Sequence, residues 1–579
     1  MRPLHSDLRF APARVEVTKR ADGSLLLRSP QQLGGYGRCV GEWLAAWAEQ
    51  AGDRAFLAER VGDAWRKVSY REAHDAVRRI GASLLDRGLN AERPVAILSD
   101  NSVDHALLAF GAMHVGIPVA PLSPAYSLMS KDHAKLKAIF ALLRPGLVYT
   151  GDPEKFGPAL SAVGMPATPI AELLQTPPIR AVDEAFAAVG PDTVAKILFT
   201  SGSTGLPKGV INTQRMLCAN QQMYAQLWPF LEDRPPVVVD WLPWNHTFGG
   251  NGIFNQILRH GGTLYLDAGK PVPGLIETTV RNLTDVAPTM YFNVPRGFDL
   301  LLPHLERNPV LRRNFFSNLD LIFYAGAALP QNLWERLEAL AVAETSGKLA
   351  LLSGWGSTET APLAALVHFP IEQAGVIGLP VPGCDIKLVP SGGKLEVRVR
   401  GPNVTPGYYQ RPDLTASVFD EEGFYRIGDA VRFADPDEPA RGLVFDGRVA
   451  EDFKLTSGTW VHVGTVRLKL IAAADPIVQD AVITGHDRRE IGALVFLSAA
   501  ASNVAPEEVR ARLAAALASL AAEGGSSMHP TRLLVLTEPP SVDAGEITDK
   551  GYINQRAVLE HRPELVERLY AGAPEVIAL

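Results

Sequence analysis

The apolar run Val194–Phe199 passes without a break into Thr200-Ser201-Gly202-Ser203-Thr204-Gly205-Leu206-Pro207-Lys208-Gly209. A run of that length reads as a buried strand, and the glycines after it force a loop. Glycine lets backbone N–H groups approach an anion with no Cβ in the way. The Ser and Thr hydroxyls add donors, and Lys208 adds a positive charge. Such a loop predicts a polyphosphate, and therefore a nucleotide, bound at the end of a strand. It is not a G-x-x-x-x-G-K-[ST] loop: counted from Gly202, that pattern needs glycine where Pro207 stands. Kinase and motor-ATPase readings lose their main support.

The surrounding pattern is that of an α/β protein. Val15–Thr18 and Ser24–Arg28 flank Ala21-Asp22-Gly23 and predict a β-hairpin. Helical stretches at Val40–Ala51 and Tyr70–Arg87 alternate with apolar runs at Val95–Leu98 and Gly146–Thr150, the βα rhythm of a parallel sheet. From about Gly375 the texture changes to short β-rich segments between Gly and Pro, such as Lys394–Arg400 and Gly442–Phe445, which predict a small barrel or sheet. Further on, Pro506–Glu523 carries helix start and stop signals: Pro506 with Glu507 and Glu508, then Gly524-Gly525.

With 579 residues, 47% hydrophobic and 21% charged, the chain can bury a substantial core. A net charge of −7 with no Lys/Arg block excludes a concentrated basic face for nucleic acid. Cys39, Cys218 and Cys384 lie far apart and form no C-x-x-C pair, so they predict buried thiols rather than disulfides or a zinc site. The N-terminus has no apolar signal core, and the longest apolar stretch, Ala106–Ala120, is interrupted by His114, Gly116 and Pro118. A cytoplasmic protein with no membrane span is expected. The sequons at Asn245, Asn282 and Asn403 then read as chance matches.

The loop is followed in order by Gly354-Trp355-Gly356-Ser357-Thr358-Glu359, Tyr425-Arg426-Ile427-Gly428-Asp429 and Gly447-Arg448. In that order the motifs resemble those of adenylate-forming enzymes, the acyl-CoA synthetases and their relatives, over nearly the whole chain. Gly447–Trp460 (GRVAEDFKLTSGTW) and Glu546–Arg556 (EITDKGYINQR) look like the feruloyl-CoA synthase subgroup. The resemblance implies a large N-terminal domain, 1–448, of βα-layered sheets plus a small β-barrel. A smaller mobile α+β domain, 449–579, would follow, its hinge on Val449, Ala450 or Glu451. It also implies the substrates ATP, coenzyme A and an aromatic carboxylic acid, with Mg²⁺, in a monomer or homodimer.

Residue by residue, the resemblance gives Thr200, Ser201, Gly202, Ser203, Thr204, Gly205 and Lys208 to the phosphates, and Thr204 and Glu359 to Mg²⁺ as hard oxygen donors. Trp355 would pack on adenine, with Gly356, Ser357 and Thr358 beside it. Asp429 would accept from the ribose hydroxyls, and Arg448 would help there or contact a phosphate. The segment Tyr324-Ala325-Gly326-Ala327-Ala328-Leu329-Pro330 would line adenine and the acyl pocket with its backbone, with Gly354 adjoining. His246, in Trp241-Leu-Pro-Trp-Asn-His-Thr-Phe-Gly-Gly250, would stand as gate and pocket wall, and Phe248, Trp244 and Phe254 offer aromatic surface either to a planar acid or to the core.

Two departures stand out. The family's C-terminal Thr-x-x-Gly-Lys reads here Thr548-Asp549-Lys550-Gly551-Tyr552, which puts Tyr552 in the lysine position and Lys550 two residues earlier, on the same side of an extended segment. Lys550 is the substitute expected to bridge carboxylate and α-phosphate. The hinge hairpin Gly447–Gly458 is one residue longer than usual and contains Lys454, a candidate for the thioester step and equally a surface lysine. The leading expectation is an AMP-forming ligase of ferulate or a related hydroxycinnamate. Its rivals are a ligase of a benzoate or medium-chain fatty acid, an enzyme that loads a carrier protein, and a non-catalytic nucleotide- or acyl-adenylate-binding protein motivated by the displaced lysine.

Overall fold

Near-continuous apolar strands such as Val237–Asp240 and Leu321–Tyr324 are what parallel sheets covered on both faces require, and both are almost wholly buried in the larger domain. The computed structural model describes residues 8–579 apart from 201–205, 273, 328, 346, 348, 524, 526 and 549–552. One sheet orders Leu147–Tyr149, Val95–Ile97, Val119–Pro121 and Val194–Thr200 in parallel, with Lys208–Thr213 returning antiparallel. A second orders Val237–Asp240, Thr263–Leu266, Ala55–Val61 and Ala64–Ser69. The helix Tyr70–Asp86 packs beneath through Ala73, Val77, Ile80 and Leu84, one apolar stripe, and Ser69 starts it with a reciprocal capping box to Glu72.

The third sheet has eleven strands among the described residues. Its parallel end, Met290–Asn293, Leu321–Tyr324 and Ala350–Gly356, runs through Leu363–Leu366 into antiparallel strands that include Tyr425–Phe433 and Leu443–Arg448. The N-terminal hairpin, Glu16–Lys19 with Leu25–Arg28, forms as expected. Gly23 takes φ +82° in its turn, and Leu25–Leu27 pair with Ile386–Leu388, so the hairpin becomes the far edge of this sheet.

The apolar core changes identity near residue 450. The largest cluster reaches Val444, and a separate one begins at Phe453 and includes Val463, Leu470, Leu513 and Leu533. The smaller C-terminal domain has strands Val478–Thr484, Gly492–Leu497, Arg532–Val535 and Ile577–Ala578, with the helix Pro506–Glu523 at the limits its signals predict. Cys39, Cys218 and Cys384 are buried free thiols, and burial pushes Cys384 up to about 12. The Ala106–Ala120 stretch is split between the buried helix Val103–His114 and the strand Val119–Pro121. No helix among the described residues is long and apolar enough to cross a membrane.

Candidate active site

Thr200 and Lys208 face each other as register partners at the mouth of the glycine-rich loop. Ser201, Gly202, Ser203, Thr204 and Gly205 lie outside the described residues. The Thr200 hydroxyl is buried with no hydrogen-bond partner among the described residues, an oriented donor available to a ligand. The Lys208 ammonium donates to the Tyr408 hydroxyl at 2.6 Å and lies 3.2 Å from Glu359 Oε1. Tyr408 in turn donates to Glu359 Oε1 at 2.9 Å, and its hydroxyl sits 3.2 Å from that of Tyr425. Burial pushes the Glu359 carboxyl up, but the Lys208 charge and the Tyr408 hydroxyl outweigh it and hold the group below its ordinary value. Burial, together with the Glu359 charge, pushes both tyrosines up, so they remain donors. A buried carboxylate held below its ordinary value is an oxygen donor of the kind that a hard divalent cation takes.

Glu359 is held by its backbone. Its N–H donates to the Ser357 hydroxyl at 3.2 Å, and its carbonyl accepts from the Thr405 N–H at 2.8 Å. Gly356 allows the bend, because a Cβ there would lie 1.8 Å from the Pro362 carbonyl oxygen. Trp355 is buried in the main core and donates its indole N–H to Asp429 Oδ2 at 3.0 Å. This hydrogen bond holds the Asp429 carboxylate against the indole edge. Asp429 Oδ1 is buried without a hydrogen bond, 3.6 Å from the Arg448 Nε of the adjacent strand. Burial pushes Asp429 up, against the pull of Arg448 and Trp355. A buried carboxylate oxygen that makes no hydrogen bond is an acceptor for a hydroxyl.

A third group surrounds His246. The segment Phe248–Ile253 is a π-helical turn, a feature often found at functional sites. Gly249 and Gly250 make it possible: a Cβ would come within 2.5 Å of the Leu242 carbonyl oxygen and 2.3 Å of the Trp244 carbonyl oxygen. The Gly250 N–H donates to the His246 carbonyl at 2.8 Å. Phe248 lies 5.8 Å from Phe323 by ring centroids, and a Cβ on Gly354 would stand 3.1 Å from the same ring. Phe248 and Gly354 therefore border the same Phe323 ring, and the His246 carbonyl anchors the turn that carries Phe248.

Trp244 and Phe254 contact each other edge to face at 4.8 Å and belong to the core. The Tyr324 side chain turns the other way, into the cluster beneath the helices Pro295–Arg307 and Gln331–Thr345, and leaves its backbone to the site side. Ala325 donates to the Asn293 carbonyl at 3.3 Å, Gly326 takes φ +86°, and both Gly326 and Ala327 are exposed. Ala328 lies outside the described residues.

Lys454 is not brought to these groups. Its ammonium rests 4.9 Å over the Trp460 ring, on the hairpin Phe453–Lys454 with Trp460–Val461. Lys550 lies outside the described residues. Tyr408 and the structural role of Tyr425 have no sequence signal of their own, since single tyrosines carry no spacing that points to Glu359.

The fold and these clusters define a nucleotide-handling enzyme class, and the chain belongs to the family of AMP-binding enzymes, whose profile matches residues 44–409. The profile of the AMP-binding enzyme C-terminal domain matches residues 462–574. The chain is 25% identical to a carboxylic acid reductase of Segniliparus rugosus, over 96% of this chain and 52% of that protein, so it spans about half the length of that relative. It is 26% identical to a 3-[(3aS,4S,7aS)-7a-methyl-1,5-dioxo-octahydro-1H-inden-4-yl]propanoyl:CoA ligase of Rhodococcus jostii, over 78% of this chain and 87% of that protein. The fold also resembles the A domain of the Segniliparus rugosus reductase in complex with AMP and a co-purified carboxylic acid: TM-score 0.71, 21% identity, 94% of this chain and 95% of that one.

Proposed function

We propose that the protein is an ATP-dependent carboxylate–CoA ligase acting on an aromatic acid, ferulate or a related hydroxycinnamate. The observation that carries the reading is the Lys208–Tyr408–Glu359 cluster at the mouth of the Thr200 loop, together with the Asp429 oxygen that makes no hydrogen bond. In the first step a substrate carboxylate oxygen attacks the α-phosphorus, the bond to the bridging oxygen breaks, and pyrophosphate leaves with that electron pair. Negative charge grows on the leaving group, where Lys208 and the loop donors are preorganised to meet it. A triphosphate competes with Glu359 for the Lys208 ammonium and leaves the carboxylate to Mg²⁺, which neutralises phosphate charge when bound. Asp429, held by Trp355, accepts from the ribose. In the second step the coenzyme A sulfur attacks the acyl carbon and AMP departs.

The aromatic surface of Phe248, Phe323 and Phe292 beside His246 supports a planar acid. The sequence GRVAEDFKLTSGTW supports the feruloyl subgroup. In this reading the domains are 1–448 and 449–579, Lys550 serves adenylation, and the C-terminal domain rotates between steps.

The test is pyrophosphate release and CoA-thioester formation with ferulate, coumarate, caffeate, benzoate and octanoate. Preferential turnover of the cinnamates is expected, and Glu359→Gln should lose about 10²–10³ in pyrophosphate release, as when a preorganised transition-state contact goes. Preference for octanoate would overturn the substrate class. ATP binding with no pyrophosphate from any acid would overturn the ligase.

A further inference from the structure

The loop Ser541–Ile547 of the C-terminal domain is fixed at both ends of its reach. On its own side Glu546, buried, receives Arg562 at 2.6 and 2.8 Å and the Ser541 N–H at 2.8 Å, and Ile547 bridges Ile553. On the other side the loop meets the large domain at 130–135. Asp543 accepts from the Lys131 N–H at 3.1 Å, and the Lys135 ammonium donates to the Val542 carbonyl. Burial would push the Asp543 carboxyl up, but Ser130, Lys131, Lys135 and His133 together hold it below its ordinary value.

The docking point has a telling place in the fold. Residues 130–135 follow the strand Val119–Pro121 and the helix Pro124–Leu128. That strand is the parallel neighbour of Val194–Thr200, so the contact lies beyond the carboxyl ends of the strands that carry the phosphate loop. The loop also leads directly into Lys550, three residues past Ile547. The hinge hairpin, by contrast, sets Trp460 against Gly392 of the eleven-stranded sheet.

We propose that Asp543 and Lys135 form an interdomain latch that holds the C-terminal domain in its adenylating orientation and must open before the thioester step. They are positioning residues, acting through the placement of the C-terminal domain against residues 130–135. The inference rests on the ligase reading of the site.

The experiment separates the half-reactions in the full-length protein. Asp543→Ala and Lys135→Ala should slow pyrophosphate release from the preferred acid by about 3- to 30-fold, the range for a partly exposed charge-assisted contact. Asp543→Asn, which keeps an acceptor for the Lys131 N–H, should recover most of it. Thioester formation from supplied acyl-adenylate and coenzyme A should be unchanged or faster in all three. Equal loss in both half-reactions, or no loss in either, would overturn the latch.

A second readout does not depend on activity. Spin labels at Val310→Cys and Leu468→Cys, exposed positions on the two domains, should give one dominant distance in the parent chain, broadened by Asp543→Ala but not by Asp543→Asn. An unchanged distribution in the alanine variant would overturn the latch even where turnover is observed. A latch seen by the labels in a protein that releases no pyrophosphate would instead overturn the ligase reading.

Discussion

Lys196 is predicted to make the stability of the large domain rise with pH, and the effect should vanish in Lys196→Met. The side chain projects from the strand Val194–Thr200 into the core, 6% exposed, and its ammonium has one hydrogen bond, to the Gly250 carbonyl at 2.7 Å. No carboxylate among the described residues lies within ion-pair distance of it. Burial alone pushes it from 10.5 to about 7, equivalent to roughly 5 kcal/mol held against the charged form, as a ceiling. Below pH 7 the amine is protonated whether folded or unfolded, so this group gives no slope. Between about 7 and 10.5 the unfolded chain holds the proton and the folded one does not. Stability must then rise by about 1.4 kcal/mol per pH unit until the amine is neutral in both states.

Methionine has similar length and no charge, so the substitution removes the penalty and loses one hydrogen bond, worth about 1–3 kcal/mol. The variant should be the more stable protein at pH 6.5, and its advantage should shrink by roughly 2–3 kcal/mol by pH 9. Urea unfolding of both proteins at pH 6.5, 7.5, 8.25 and 9, followed through the large-domain transition, reads the difference and cancels every other titrating group. Parallel pH curves for the two proteins would refute the reasoning, because a constant difference means the amine does not change protonation on folding. Gly250 also bonds the His246 carbonyl, so the freed carbonyl should cost turnover in the more stable variant.

Two further substitutions test the nucleotide end of the site. Gly356→Ala must displace Pro362, since its Cβ would stand 1.8 Å from that carbonyl oxygen. A loss of about 3 kcal/mol or more in unfolding free energy is expected, and an unchanged melting temperature would contradict it. Asp429→Asn keeps an acceptor for Trp355 but removes the charge beside Arg448. It should raise the KM for ATP about 10- to 100-fold with little change in stability, and an unchanged KM would remove Asp429 from nucleotide binding.

What could be read from the sequence was whatever lies in one short segment. Thr200–Gly209, Gly354–Glu359 and Tyr425–Asp429 are contiguous, and each segment carries its own turn chemistry or strand pattern. Asp429 and Arg448 come together because they sit opposite each other on neighbouring strands. Tyr408 and Glu359 meet through the tertiary packing of two loops, and no periodicity announces that contact. Lys196 was hidden for the opposite reason: within an apolar run a single lysine reads as an exposed exception, and only the structure shows both faces of its strand covered. The N-terminal hairpin announced itself through Asp22-Gly23, while its partner, Asp385–Ser391, lies across the whole larger domain in sequence.

The same covering explains why the centre of the site is built from amides. Asn251 donates to Asn212 Oδ1 at 2.7 Å, tying the π-helical turn after His246 to the strand that begins at Lys208. Gln221, on the helix that follows this strand, donates to the Asn251 and Gly252 carbonyls at 3.1 and 3.0 Å. Its neighbour Asn220 donates to the Leu363 carbonyl at 2.9 Å, and Asn403 meets the same oxygen at 2.7 Å, just past the Glu359 turn. Apolar side chains would fill this volume and tolerate sliding by fractions of an ångström, whereas each amide N–H is aimed at one particular carbonyl or amide oxygen. The Gln221 Oε1, Asn251 Oδ1 and Asn403 Oδ1 oxygens stay buried without hydrogen bonds from the described residues, a cost that the directed contacts carry. The amides therefore fix the spacing among three elements: the strand that leaves the glycine-rich loop at Lys208, the Glu359 turn and the turn after His246. Lys196, bonded to Gly250 within the same turn, belongs to that frame, so its contribution is to register rather than to stability.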